Sequence, residues 1–368
     1  MRKIGIILRA CLNLAFSFFS LCYTSLLSQT DSTAFKRNKL TAYPVLFYLP
    51  ETSLGFGGVG AYTFRLPSEN NETRPSQVSS LLAYTLEKQI LIYFYNEIYQ
   101  DNQKWWLRNE IGYYKYFYDF FGIGNDNPED YVETFGVTYP RIRLNAQRLL
   151  FPNFYSGIRY WYDGYNITET EEEGMLQSSA IAGGTGNIVS GIGFINNYDS
   201  RDNIFTPTKG WFVEVVGFWN RKGLGSDFNF SRYTYDVATY FKHMERNVLA
   251  LNAFGGFITG EAPFNELMFL GGSRKGRGFY EGRYRDNHLA LLQAEYRMHV
   301  WWRFGLAFFG SYGGVAPTFS AYKIENFRWN AGLGLRYLAN PQEGLTARID
   351  VGFGEGSTAF YFTVGEAF

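Results

Sequence analysis

The chain has 368 residues, with 34 Lys+Arg against 34 Asp+Glu, so its formal net charge is zero and excludes the strong basic excess of a general nucleic-acid binder. Forty glycines, 29 tyrosines and 20% aromatic residues accompany a mean hydropathy of −0.21. A soluble chain fits these values, and so does a membrane β-barrel with an apolar outside and a polar lumen.

Residues 1–28 read as a secretory signal. Arg2 and Lys3 supply the positive start, an apolar stretch runs to Leu27 with one interruption at Arg9, and cleavage is expected near Ser28. Both cysteines, Cys11 and Cys22, fall in this segment. The mature chain is then without a thiol, which removes disulfides, thiolate zinc sites and cysteine catalysis. No later run reaches the ~18 apolar residues of a transmembrane helix.

After a short polar segment at 29–39, residues 40–368 alternate between strands and turns. Strands are expected at 41–49, 54–66, 76–87, 90–100, 104–118, 130–149, 153–166, 184–197, 210–220, 228–242, 246–258, 287–301, 303–316, 327–338, 344–354 and 358–368. The even total of sixteen predicts an all-β, antiparallel transmembrane barrel. The pattern is plainest near the end of the chain. Phe327, Trp329, Ala331, Leu333, Leu335 and Tyr337 alternate with Arg328, Asn330, Gly332, Gly334 and Arg336. Leu345, Ala347, Ile349, Val351 and Phe353 alternate likewise with Thr346, Arg348, Asp350, Gly352 and Gly354. A charged side chain facing lipid at mid-depth costs ~2–4 kcal/mol, so the charged set is expected to face inward. Glycines on that face leave room for something to occupy the lumen.

Residues 270–302 organise the rest. A glycine-rich loop carries Arg274, Lys275, Arg277, Arg283 and Arg285 against one acid, Glu281. The strand behind it sets Gln293, Glu295, Arg297 and His299 on one face and Ala290, Leu292, Ala294, Tyr296, Met298 and Val300 on the other. So cationic a loop is expected to fold back onto the polar face, with Arg277 meeting Glu295 through a planar fork that fits a carboxylate. On that expectation, exchanging the two charges partly restores what either single replacement loses.

At Gly276, Arg277, Gly278 and Phe279 the sequence resembles the BamA/TamA family of outer-membrane assembly and translocation barrels, also called the bacterial surface antigen family. Three further pieces resemble it: the 199–210 turn, the Phe121-Gly122-Ile123-Gly124-Asn125 segment, and a C-terminal assembly signal through Phe360, Phe362, Val364 and Phe368. The resemblance implies a loop at about 271–286 folded into the lumen, its Arg-Gly-Phe tip held by acids on the next two strands. It implies an acid where this chain has Ser311, which supplies no charge, so Arg277 is expected to rest mainly on Glu295. About ten residues before the first strand cannot hold a POTRA domain, so a POTRA-less variant is expected.

The function so implied is assembly, insertion or translocation of outer-membrane or surface proteins in the bacterial outer membrane. It would act through a seam between the first strand, near Tyr43, and a last strand running to Phe368 and loosened by Gly365. A scaffolding barrel or a plugged passive pore is the alternative. Expected partners are outer-membrane lipids, client proteins and separate periplasmic or lipoprotein subunits. No enzyme, cofactor or metal is expected: His243, His288 and His299 are scattered, and the glycines at 55–60 lack the Lys-Ser/Thr of a phosphate loop.

Overall fold

A computed structural model describes residues 38–368 apart from 51, 70–72, 129–130, 178–179 and 342–343. The expected signal at 1–28 and nearly all of the 29–39 segment lie outside the described residues.

The wall begins with β1 (Asn38–Leu49), β2 (Ser53–Phe64), β3 (Ser76–Thr85), β4 (Ile90–Gln100), β5 (Trp105–Phe120) and β6 (Glu133–Phe151). It continues through β7 (Phe154–Glu169), β8 (Asn187–Asp199), β9 (Gly210–Asn220), β10 (Phe230–His243) and β11 (Asn247–Gly260). A long connection then carries a small pair, β12 (Met268–Leu270) and β13 (Tyr284–Asp286). The wall resumes with β14 (His288–Trp301), β15 (Phe304–Ala316), β16 (Arg328–Asn340), β17 (Leu345–Gly354) and β18 (Ser357–Val364). Sixteen strands close into an antiparallel barrel, each beside its neighbour in sequence, with β11 beside β14 and β18 beside β1. Each of the sixteen expected strands is present, with ends that match or differ by at most four residues.

Closure follows from the solvent. Hydrocarbon offers no partner to a backbone N–H or C=O, so only a sheet without edges survives there. The period-two pattern then decides which side chains meet lipid. Trp329, Leu333, Leu335 and Phe353 are exposed, whereas Asn330, Arg336, Arg348 and Asp350 are buried. The buried alternate set is therefore the inner face.

The connections 121–132, 170–186, 261–287 and 317–327 leave one rim; the short turns 101–104, 152–153, 244–246 and 302–303 close the other. Outer-membrane barrels keep short turns on the periplasmic side and long loops outside. Exposed Trp301 and Trp302 at the short-turn rim, packed with Phe304 and Tyr337, belong to an interfacial aromatic belt.

Leu333 tests the outward assignment. Leu333→Arg should lower the unfolding free energy of the barrel in lipid vesicles by ~2–4 kcal/mol, read from denaturant unfolding. An unchanged midpoint would mean that this face of β16 does not meet hydrocarbon.

Candidate functional site

The site is built by the connection between β11 and β14. Its β12 and β13 pair Met268 with Asp286 and Leu270 with Tyr284, so both arms of the loop leave the wall together. Between them the backbone turns through glycines. Gly278 has φ +122, and a Cβ there would lie 3.0 Å from the Phe353 backbone nitrogen, so no other residue fits without strain. On the wall, a Cβ on Gly352 would lie 2.6 Å from the Arg277 carbonyl oxygen. Two glycines facing each other let the loop lie directly on β17.

The tip is anchored by its backbone and by packing. The Gly278 N–H donates to the Tyr361 hydroxyl (3.2 Å), which donates to the Phe279 carbonyl (3.1 Å), and Ser357 Oγ donates to the Gly278 carbonyl (2.7 Å). Phe279 is fully buried, edge-on to Tyr284, in a cluster with Leu270, Leu289, Leu291 and Val315. Lys275 reaches the other side, donating to Asp236 (2.8 Å) and Asn252 (3.1 Å). Gly124 and Asn125 of the 121–125 segment bond Arg285 and Val315, tying that segment to the base of the loop.

Arg277 is 2% exposed, and Glu295 and Asp350 are 0% exposed. Its guanidinium donates to Glu295 Oε2 at 2.5 Å and to Asp350 Oδ2 at 2.9 Å, and lies 3.6 Å over the ring of Phe309. Arg297 bonds Glu295 (2.7 Å), Arg348 bonds Asp350 (2.6 Å), and Arg336 touches Glu295 (3.3 Å), Asp350 (2.6 Å) and Glu366 (2.9 Å). Four guanidinium groups and three carboxylates thus form one buried lattice. Each charge is offset by an opposite one inside hydrogen-bond distance, the condition under which buried ions are tolerable.

This geometry corrects the sequence reading at three points. Arg277 does not rest mainly on Glu295: Asp350 of β17 supplies a second carboxylate. Ser311 takes no part, and its buried Oγ has no hydrogen-bond partner. The last strand does not run to Phe368. It stops at Val364; Gly365 turns at φ +84, its N–H donating to the Thr346 carbonyl (2.7 Å). Residues 366–368 then leave the wall. Glu366 joins the arginines, the Phe368 carbonyl accepts from Arg297 (2.8 Å), and Phe368 packs on Ala238, Tyr240, Val248 and Ala250.

The seam itself is short. β1 pairs with β2 over twelve positions, Asn38↔Phe64 to Leu49↔Ser53, but with β18 at Tyr48↔Phe362 alone among the described residues. The Tyr48 and Phe360 rings meet edge-on with centroids 5.5 Å apart. Tyr43, near which the seam was expected, pairs with Val59 of β2, and no register pair joins it to β18 among the described residues.

Asp350, Arg348 and Arg336 were already assigned inward by their alternation; nothing local linked them to a loop some seventy residues away. Glu366 was hidden because the alternation of Phe360, Phe362 and Val364 reads on as if the strand continued.

The profile of the Omp85 superfamily domain matches residues 94–368. In fold the chain is similar to BamA from Haemophilus ducreyi lacking POTRA domains 1-3, with TM-score 0.61, 12% identity, and coverage of 89% of this chain and 70% of that one. It is also similar to CdiB from Acinetobacter baumannii (TM-score 0.59, 11% identity, 90% and 60% covered) and CdiB from Escherichia coli (0.58, 10%, 91% and 63%). The chain thus spans less than two thirds of either CdiB. No curated protein matches it.

Removing Arg277 takes one of three arginine partners from each of two buried carboxylates. Arg277→Ala should destabilise the barrel by ~3–5 kcal/mol, seen as a lower temperature of heat-induced gel-mobility shift. The Arg277→Glu/Glu295→Arg exchange should not rescue it, because a carboxylate at 277 faces Asp350. Rescue by the exchange would mean that Asp350 is not a partner.

Proposed function

Because this chain belongs to the Omp85 superfamily, whose barrels are non-enzymatic transport and assembly proteins, and so resides in the bacterial outer membrane, we propose that it assists the assembly, insertion or translocation of other outer-membrane or surface proteins through the β1–β18 seam. One observation carries this reading: among the described residues β1 has a single register pair with β18, Tyr48 with Phe362, and none over Leu40 to Phe47. A strand edge offers a row of donors and acceptors, and an incoming strand satisfies them by β-augmentation. The exchange trades hydrogen bonds for hydrogen bonds and needs no nucleotide.

The Arg277 tip has a separate role in the proposal. Held on β14, β17 and β18, it braces the wall beside the seam and fills the lumen, so that opening at β1 does not create a free channel. The client in this proposal is itself an outer-membrane or secreted polypeptide, since a β-strand is what the edge of β1 can pair with. Periplasmic or lipoprotein subunits acting in trans belong to the same proposal. The buried loop also suits a second reading, a plugged passive pore or scaffolding barrel.

Tyr48→Cys with Phe362→Cys places thiols on directly paired positions. The disulfide should abolish delivery of new barrels to the outer membrane, and reduction should restore it. Delivery that continues with the seam crosslinked would remove the seam from the mechanism. A large rise in planar-bilayer conductance on deleting residues 271–285, with delivery of other barrels unaffected by depletion of the protein, would favour the plugged pore.

A further inference from the structure

The long connections treat their apolar residues in two ways. Phe121 of 121–132, Leu176 of 170–186, and Phe264 and Phe279 of 261–287 are buried. The connection 317–327, between β15 and β16, does the opposite. Its Phe319 is 81% exposed and its Ile324 78%, the largest values for bulky apolar side chains among the described residues. A single exposed apolar side chain needs no explanation, but two on one short segment beside a lipid-facing wall do.

This connection lies against the outside of the barrel. Tyr312 and Phe308 share the outer face of β15, and both are exposed. The Tyr312 hydroxyl donates to the Ile324 carbonyl (2.9 Å), and its ring lies 5.3 Å from that of Phe327. Tyr322 meets Phe327, Phe319 and His288 edge-on at 5.8, 6.1 and 6.3 Å. His288 begins β14 on the same outer face as exposed Leu292. Two short 3-10 turns, Phe319–Ala321 and Ile324–Asn326, are thereby held beside the outer face of the wall.

The contact with His288 joins the connection to an aromatic row that crosses five strands. Phe194, Trp219, Tyr233, Phe257 and His288, one each from β8, β9, β10, β11 and β14, touch in that order with centroids 5.8, 6.1, 4.9 and 5.9 Å apart. The last four lie no more than three residues from the long-loop ends of their strands. An outward aromatic row at this level marks the boundary between hydrocarbon and headgroups. Apolar side chains on a segment that continues the row are therefore placed to meet lipid. The segment carries one Lys and one Glu, Lys323 and Glu325, exposed and paired at 3.8 Å. With no excess charge, its attraction to a bilayer is apolar and does not depend on anionic headgroups.

We propose that the 317–327 connection is a membrane anchor: it lies in the headgroup region of the outer leaflet and inserts Phe319 and Ile324 among the acyl chains. It thereby fixes the depth of the β15–β16 hairpin in the bilayer. The anchor is independent of the seam and acts whether or not the seam opens.

Site-specific fluorescence quenching on the full-length barrel in phosphatidylcholine vesicles tests it. Exposed Ser320 takes the fluorophore through Ser320→Cys in a Cys11→Ser/Cys22→Ser background, so Phe319 and Ile324 stay native. Lipid spin-labelled near the headgroup should remove most of the emission, and lipid spin-labelled at the chain end should remove less. The same label on Glu172→Cys, in the exposed acidic run of 170–186, should keep its emission with either lipid. Adding Phe319→Ser and Ile324→Ser should bring the label at 320 to the behaviour of the one at 172, while unheated gel mobility stays native. Emission at 320 as insensitive to both lipids as at 172, or quenching unchanged by the double replacement, would overturn the proposal. Insensitivity in vesicles combined with protection from aqueous iodide in native outer membranes would overturn it in favour of a protein partner on this connection.

Discussion

A guanidinium group buried beside two carboxylates sets the terms for the rest of the structure. Arg277 can be taken out of water only if its fork meets acceptors, and Glu295 and Asp350 can be taken out only if cations meet them. These demands are mutual. They fix the loop tip against β14 and β17 together, and through Arg336 they extend to Glu366 in the tail. Because desolvation offsets much of the Coulombic gain, a lattice of this kind contributes little net stability over an apolar filling of equal volume. Its value is geometric. Few other placements of the loop satisfy all seven groups, so the tip has a defined position where an apolar plug would tolerate several.

The glycines complete that argument. Gly278 on the loop and Gly352 on the wall remove the two side chains that would hold the backbones apart, while Gly354 leaves space for the Phe279 ring. Charge supplies the specificity of docking, and the missing Cβ atoms supply the closeness that makes the charge contacts possible. Phe279 then closes the site to water with the aliphatic side chains above it, which raises the penalty for any unpaired charge below.

Much of this was legible in the sequence because the barrel's rules are local. Alternation with period two identified sixteen strands and placed Arg336, Arg348, Asp350 and Glu295 inward without knowledge of neighbours. The loop could be identified by its glycines and its excess of arginine. What could not be read was pairing across the lumen. Sequence separation carries no information about which inward acid lies opposite which inward base in a closed wall, so Asp350 was passed over. The tail failed for the opposite reason. Its alternation continues past the point where the hydrogen bonding stops, since Gly365 ends the strand through its backbone conformation while the side-chain pattern runs on.

That ending matters for where the wall is weak. Tyr48↔Phe362 aligns the end of β1 nearest the long-loop rim with the last residues of β18, and among the described residues no register pair with β18 is found over Leu40 to Phe47, toward the short-turn rim. Among the described residues fifteen strand interfaces carry long ladders and the β1–β18 interface does not, so the cost of parting two strands is least here. The tail explains the shortfall: residues that could extend β18 along β1 are instead committed to Arg297 and Arg336 inside. On the proposed function, a strand arriving from the periplasmic side meets the open portion of β1 first. It adds hydrogen bonds before any existing ones are broken, and the single remaining pair is the last to yield. On the same proposal, the arginines that secure the loop also hold the tail away from β1, which would couple the plug and the opening through one set of buried charges.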